Sequence, residues 1–157
     1  GWDKATQDGV FTGDFEDINK GLTTAQAFID QGADVILPVA GQVGEGAARA
    51  ALDSGTASII WVDSDGYDTL SPDFRPMLLT SVLKNTGSAV VEIVKTSIDD
   101  TFDNAPFIGT LENGGVGIAP FHDLAPRVSA ELSAEIDQLR SDIVAGTIVV
   151  TSPSTPR

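Results

Sequence analysis

The sequence predicts an α/β fold in which a parallel β-sheet carries helices on both faces. Short apolar runs of strand length alternate along the chain with stretches whose apolar residues recur every three or four positions. The clearest runs have apolar residues at consecutive positions, which is typical of strands buried on both faces of a parallel sheet. With 157 residues the chain is about one domain long, so residues 1–157 are predicted to form a single unit.

Periodicity places the individual elements. Strands are predicted at 34–38, 58–63, 78–83, 107–111, 116–119 and 147–150, the fourth and fifth as a hairpin around a glycine-rich turn. Helical stripes are predicted over 17–30, from Val43 to Leu52, from Ala89 to Ile98 and from Val128 to Ile143, with helix ends at Gly32, Gly55 and Gly146. Connections between parallel strands are right-handed, so ligands of such a fold bind beyond the carboxyl ends of the strands.

Composition narrows the class of protein. Apolar residues make up 41% of the chain and charged residues 20%, which indicates a globular protein. Twenty-three acidic residues against nine basic ones give a net charge of −14, which would repel nucleic acid and anionic membrane surfaces. The absence of cysteine excludes disulfides and thiolate metal sites. The first fifteen residues contain neither an initiating Met nor a leader segment, so we expect a processed chain or a piece of a longer one.

The glycine-rich loop at 39–46 follows the first of the clear strands. It lacks the lysine of a Walker loop and has Glu45 in its place, and its glycines run in the order Gly-x-x-Gly-x-Gly instead of the dinucleotide-binding order. Two interpretations stay open: close approach of the backbone to a neutral polar ligand, or glycines that only permit a tight turn.

Asp63 ends the next strand and is the sharpest candidate for a ligand-binding residue. A carboxylate at the end of a buried strand needs hydrogen-bond donors, and two vicinal sugar hydroxyls would supply them. The alternative role, capping the following turn, fits Ser64, Asp65 and Asp68 better. Calcium binding by residues 63–68 is a third alternative, but the downstream glutamate of an EF-hand is missing. We predict no metal and no cofactor.

Three further side chains lie near the predicted strand ends. Lys84 follows the run at 78–83 and could pair with Asp63, donate to a ligand, or stay solvated. Phe11 and Phe15 precede the first helix, where they could either face a planar ligand or pack in the core. The single histidine, His122, has no serine and acid arranged around it as in a catalytic triad, so an ordinary polar contact is expected.

Four stretches, in order, and the late helix resemble the carboxy-terminal part of the basic membrane protein family of ABC-importer substrate-binding lipoproteins: residues 11–47, 61–68, 78–85 and 108–121, followed by the helical stripe from Val128 to Ile143. Some members of that family are purine-nucleoside receptors. The resemblance implies one lobe of a periplasmic-binding-protein type I fold, which closes on a solute and performs no chemistry.

The resemblance also assigns roles to individual residues. It implies that Asp63 holds the ribose hydroxyls, that Lys84 orients Asp63 or touches the ligand, and that Gly41 with the adjacent Ala40 admits close backbone approach. Phe15 is the counterpart of a ring that stacks on the base.

The chain differs from the family pattern in sequence and in length. Trp61 stands where a small residue is usual, and Gly66 where glutamine is common. Family members are about twice as long, so the resemblance implies that an amino-terminal lobe, with its lipidated cysteine, is missing. The implied partners are that lobe, an ABC permease and a small-molecule solute, and the implied location is extracytoplasmic and lipid-anchored. A dimer of the fragment is an alternative.

A phospho-acceptor or enzymatic α/β domain is the rival hypothesis. Receiver domains also combine a strand-end aspartate, a hydroxyl such as that of Thr80 or Ser81, and a lysine. They require in addition an acidic pair after their first strand to hold magnesium, and that strand end is not recognisable in this sequence.

Overall fold

A computed structural model describes residues 2–3, 5–6 and 8–151, and the remainder of the predicted unit 1–157 lies outside the described residues. The strands are β1 (Trp2–Asp3), β2 (Asp8–Gly9), β3 (Val35–Ile36), β4 (Ser58–Asp63), β5 (Leu78–Lys84) and β6 (Val116–Ile118). The α-helices are α1 (Ile18–Asp30), α2 (Val43–Ser54), α3 (Gly66–Thr69), α4 (Thr86–Ile98) and α5 (Ala130–Val144). Two 3₁₀ helices span Pro72–Met77 and His122–Arg127.

The central sheet has the strand order β3-β4-β5-β6. β3, β4 and β5 are parallel, and β6 joins the edge of the sheet antiparallel to β5. The α/β prediction is confirmed. Because the three parallel strands run in the same direction, their carboxyl ends lie at one edge of the sheet. The loops after β3, β4 and β5 therefore converge there.

Small residues allow helices α1 and α2 to pack closely together. A Cβ atom on Gly21 of α1 would lie 1.9 Å from the Val43 carbonyl oxygen, and one on Gly46 of α2 would lie 1.9 Å from the Ile18 carbonyl oxygen. The backbones of the two helices thus meet without intervening side chains. The alanines of α2 bury themselves against the sheet with Ile59 of β4, which is fully buried.

The predicted helix ends after α1 and α2 are confirmed. Gly32 and Gly55 have φ values of +96° and +62°, a left-handed conformation in which glycine avoids the steric cost of a Cβ atom. Both donate backbone hydrogen bonds to carbonyls of the preceding helical turn. The two glycines therefore turn the chain out of each helix toward the next strand.

Helix α4 contains no buried residue, although its apolar stripe is the one that the sequence predicts. Val90 is 59% exposed and Ile98 is 73% exposed. This apolar face lacks cover from the part of the chain that the structure describes. None of the described helices is both long and apolar enough to cross a membrane.

The predicted strand at 107–111 is wrong. The Asn113 side chain accepts hydrogen bonds from the backbone N–H groups of Thr110 and Gly115, and its amide donates to the Ile108 carbonyl. These bonds satisfy the backbone groups that a hairpin ladder would have used. The segment is therefore a side-chain-stabilised turn, and β6 pairs with β5 instead.

The predicted strand at 147–150 is also wrong. After Gly146 the chain stays at the end of α5, where the Ile148 N–H donates to the Asp142 carbonyl at 3.1 Å. Val149 and Val150 are exposed, and no described strand lies beside them. Residues 147–150 have the composition of a strand, but no described strand pairs with them.

Candidate functional site

Asp63 and Lys84 are brought together at the carboxyl ends of β4 and β5. The Lys84 Nζ atom lies 2.6 Å from the Asp63 Oδ1 atom. Both side chains are about two-thirds exposed, at 67% and 63% respectively, so the ion pair is open to solvent and contributes little to folding. Asp63 has a φ of +71°, an unfavourable conformation for a residue other than glycine. Such strain is typical of positions held for binding.

An open depression surrounds this pair, lined by residues 63–65 and 83–87. Asn85 lines the depression and is held in place by two hydrogen bonds. Its backbone N–H donates to the Gly115 carbonyl, and its side-chain amide donates to the Gly114 carbonyl. The turn before β6 thereby anchors the end of β5. The charged residues that line the depression are two aspartates, Asp63 and Asp65, and one lysine, Lys84.

Phe15, Ala40 and Gly41 form a second group, at the end of β3. The Val43 N–H donates to the Phe15 carbonyl at 3.4 Å, and a Cβ atom on Gly41 would lie 3.2 Å from the same oxygen. Gly41 has a φ of +56°. The glycine therefore lets the loop before α1 lie directly on the loop after β3, while the Phe15 ring is exposed.

Asp14 holds the loop that carries Phe15. Its carboxylate accepts hydrogen bonds from the backbone N–H groups of Glu16 and Asp17 and pairs with the Lys20 ammonium. The hydrogen bond from Lys20, together with those two backbone donors, lowers the pKa of Asp14 to about 2. Asp17 in turn caps the start of α1.

We expect the Asp14 carboxyl to titrate at about pH 2. Because the pKa of Asp14 is lower in the folded protein than in the unfolded chain, the ionised carboxylate stabilises the fold at pH values above the usual aspartate range. This stabilisation is lost as the pH falls through about 2. Carboxyl ¹³C chemical shifts would measure this midpoint. Lys20→Met should move it upward, because the largest of the causes that lower the pKa is removed while the two backbone donors remain. An ordinary midpoint in the unsubstituted protein would contradict the contact.

Trp61 packs against the starts of two helices, α2 and α3. Its ring lies under the first turn of α2, where a Cβ atom on Gly44 would come within 3.0 Å of it. It also lies under the start of α3, where a Cβ atom on Gly66 would come within 2.9 Å. The large side chain at 61 and the glycine at 66 thus fit one another.

Gly66→Ala should therefore destabilise the protein by about 1–3 kcal/mol, because the new methyl group would overlap the Trp61 ring. The penalty should shrink when Trp61 is first replaced by valine, a non-additivity that a double-mutant cycle of urea unfolding measures. Gly117→Ala is the matched control, since a Cβ atom there meets nothing within 4 Å. Equal penalties with and without Trp61 would contradict this packing.

A cluster that the sequence does not predict lies beside the Asp63 loop. In this His122 cluster, the Nε2 atom of His122 lies 2.7 Å from the Asp65 Oδ2 atom. The Tyr67 ring stacks on the imidazole at 4.1 Å between centroids, with 14° between the planes. The Tyr67 hydroxyl donates to Asp123 at 3.1 Å, which raises the pKa of Tyr67. Arg75 lies 4.3 Å from the centroid of the tyrosine ring.

The sequence interpretation of the neighbouring polar residues is partly confirmed. Asp65 caps α3 by accepting from the Tyr67 N–H at 3.0 Å, as expected for a turn-capping residue. The described residues contain no group of three or more side chains of the histidine, cysteine, aspartate or glutamate type that could hold a metal ion. The only sequence signal for the His122 cluster was the presence of a single histidine, which does not identify its partner.

Comparison with known proteins gives a family and a relative. Residues 8–154 match the Bmp family, described as "ABC transporter substrate-binding protein PnrA-like". Basic membrane protein A of Borreliella burgdorferi strain B31 is 32% identical over 146 residues, which cover 90% of this chain and 41% of the relative. The chain thus spans less than half the length of that relative.

Solved structures share the fold. An ABC transporter solute-binding protein from Aeropyrum pernix K1 superposes with a TM-score of 0.75 at 22% identity, covering 93% of this chain and 48% of the other. Another, from Conexibacter woesei DSM 14684, has a TM-score of 0.72 at 19% identity, with 92% and 46% covered. At these identities the likeness establishes the fold alone.

Proposed function

This chain belongs to the Bmp family of PnrA-like ABC-transporter substrate-binding proteins, and from that premise we propose that the full-length protein is the solute-binding component of an importer and binds a nucleoside. The family consists of binding proteins, not enzymes. In this proposal the solute enters a cleft whose one wall is the strand edge that carries Asp63, Lys84 and Gly41.

The observation that carries the proposal is the position of Asp63. Its carboxylate stands exposed at the end of β4 and retains free acceptor capacity beside the single bond to Lys84. Two vicinal ribose hydroxyls can each donate to such a carboxylate. The Lys84 ammonium fixes the orientation of the carboxylate and keeps further N–H donors available for a ligand oxygen or nitrogen.

The loops after β3 and before α1 supply the remaining contacts in this proposal. Gly41 has no side chain to block the approach of a solute, and Ala40 adds only a methyl group. The exposed ring of Phe15 offers an apolar face on which a purine can stack. Trp61 packs against the first turn of α2, which follows Gly41 in the chain, and against the start of α3, which follows the Asp63 loop, and this supports one binding surface over two separate ones.

We propose that a second, amino-terminal lobe completes the cleft. The length covered, 41% of the relative, leaves room for such a lobe, and the exposed apolar face of α4 offers a surface that another part of the protein could cover. An ABC permease is the proposed partner. An extracytoplasmic location with a lipid anchor follows from the family resemblance and is part of the same proposal. A dimer of the 157-residue chain is the alternative cover for the α4 face.

Mass spectrometry of small molecules released from the natively purified, full-length protein tests the proposal. A nucleoside in near-stoichiometric amount is the expected result. A different solute would keep the receptor class and reject the nucleoside. A stable aspartyl phosphate after incubation with acetyl phosphate would instead favour the phospho-acceptor hypothesis and reject the receptor.

A further inference from the structure

We propose that His122 is a positioning residue for solute binding: it holds Asp65, and Asp65 fixes the strained turn that presents Asp63. The inference rests on the proposed function, because it concerns the same strand edge. It adds a residue of the second 3₁₀ helix, His122–Arg127, to the residues that shape the site.

Asp65 is the mechanical link between the two residues. Only Ser64 separates it from Asp63. One carboxylate oxygen of Asp65 accepts the Tyr67 N–H at 3.0 Å, and the other lies 2.7 Å from the His122 Nε2 atom. Both oxygens are engaged, so the carboxylate has one orientation and the backbone preceding it is fixed at the Asp63 turn.

His122 is itself held in a costly conformation. Its φ is +41°, and it is one of three described non-glycine residues with positive φ, another being Asp63. Strained residues persist where the surroundings over-determine them, and they concentrate at ligand-binding positions. Here the Tyr67 stack and the contact with Asp65 provide that restraint. Asp63 and His122, which both have positive φ, are therefore connected through Asp65.

Calorimetric titration of inosine into the full-length protein tests the inference. His122→Ala should weaken binding on the order of three- to tenfold, because the Asp65 carboxylate loses one of its two hydrogen-bond partners. His122→Gln retains an N–H donor at the position of Nε2 and should stay within about twofold of the unsubstituted protein. Thr80→Val removes the buried bond to the Ala119 carbonyl and controls for general destabilisation. It should lower the melting temperature and leave the inosine affinity within about twofold of that of the unsubstituted protein.

Amide hydrogen exchange without solute separates this inference from the proposed function. The Tyr67 amide donates a hydrogen bond to the Asp65 carboxylate. His122→Ala should accelerate hydrogen exchange of this amide, and His122→Gln should restore its protection. If inosine and other nucleosides fail to bind, the proposed function is rejected and the exchange result alone decides the positioning role. Unchanged exchange in His122→Ala, or inosine affinity equal to that of the unsubstituted protein, would overturn the inference.

Discussion

Asp63→Asn in the full-length protein should weaken nucleoside binding roughly ten- to a hundredfold. The substitution removes the charge from the acceptor that we propose for the ribose hydroxyls, and hydrogen bonds to charged groups are worth about 1.5–3 kcal/mol. Asparagine also tolerates the left-handed backbone at this position, where φ is +71°. The loss should therefore appear in affinity and not in folding. Isothermal titration calorimetry measures it.

Two controls separate this effect from general electrostatics. Asp73→Asn makes the same charge change on an exposed residue outside the site and should leave affinity within about twofold, since exposed charges are screened by salt. The melting temperature of Asp63→Asn should change little, because the exposed pair with Lys84 contributes at most about 1 kcal/mol. Unchanged affinity in Asp63→Asn would remove this residue from the site.

Gly46→Ala should have the largest effect on stability, a loss of about 3 kcal/mol or more. A Cβ atom at this position would lie 1.9 Å from the Ile18 carbonyl oxygen and 2.6 Å from the Leu22 backbone nitrogen. Both obstacles belong to the backbone of α1, so no side chain can rotate away to make room. The helix pair would have to separate, which would uncover the alanines between α2 and the sheet. Urea unfolding measures the change.

The matched control for Gly46 is Gly87→Ala in helix α4. A Cβ atom at position 87 meets nothing within 4 Å, and alanine is favoured over glycine in helices by up to about 1 kcal/mol. This variant should unfold at the same urea concentration as the unsubstituted protein or a higher one. Equal stability of the two variants would contradict the close approach of α1 and α2.

The sequence predicts those parts of the fold that depend on local periodicity. The stripe in residues 17–30 becomes α1, and the apolar run at 58–63 becomes β4 with the same bounds. The convergence of loops at one sheet edge follows from the parallel strand rule, so the proximity of Asp63 and Lys84 could be anticipated as one of several alternatives. These features depend only on the local pattern of apolar residues and on the parallel direction of neighbouring strands.

Contacts between distant parts of the chain are what the sequence does not predict. Asp65 and His122 are 57 positions apart, and nothing in either segment identifies the other as its partner. The strand expected at 107–111 fails for a local reason, since the Asn113 side chain satisfies the backbone groups that the hairpin needed. The contact between Trp61 and Gly66 is also local, but it depends on the direction of the Trp61 side chain, which the sequence does not give.

Calorimetric comparison of a ribonucleoside with its 2′-deoxy counterpart tests the central claim most directly, that the Asp63 carboxylate receives vicinal sugar hydroxyls. Adenosine, inosine and guanosine would each be titrated into the full-length protein beside the deoxy compound. We expect the deoxy form of the bound nucleoside to bind about tenfold more weakly or worse, and the difference to disappear in Asp63→Asn. Equal affinities for the two sugars, or no binding of any of these nucleosides, would contradict it.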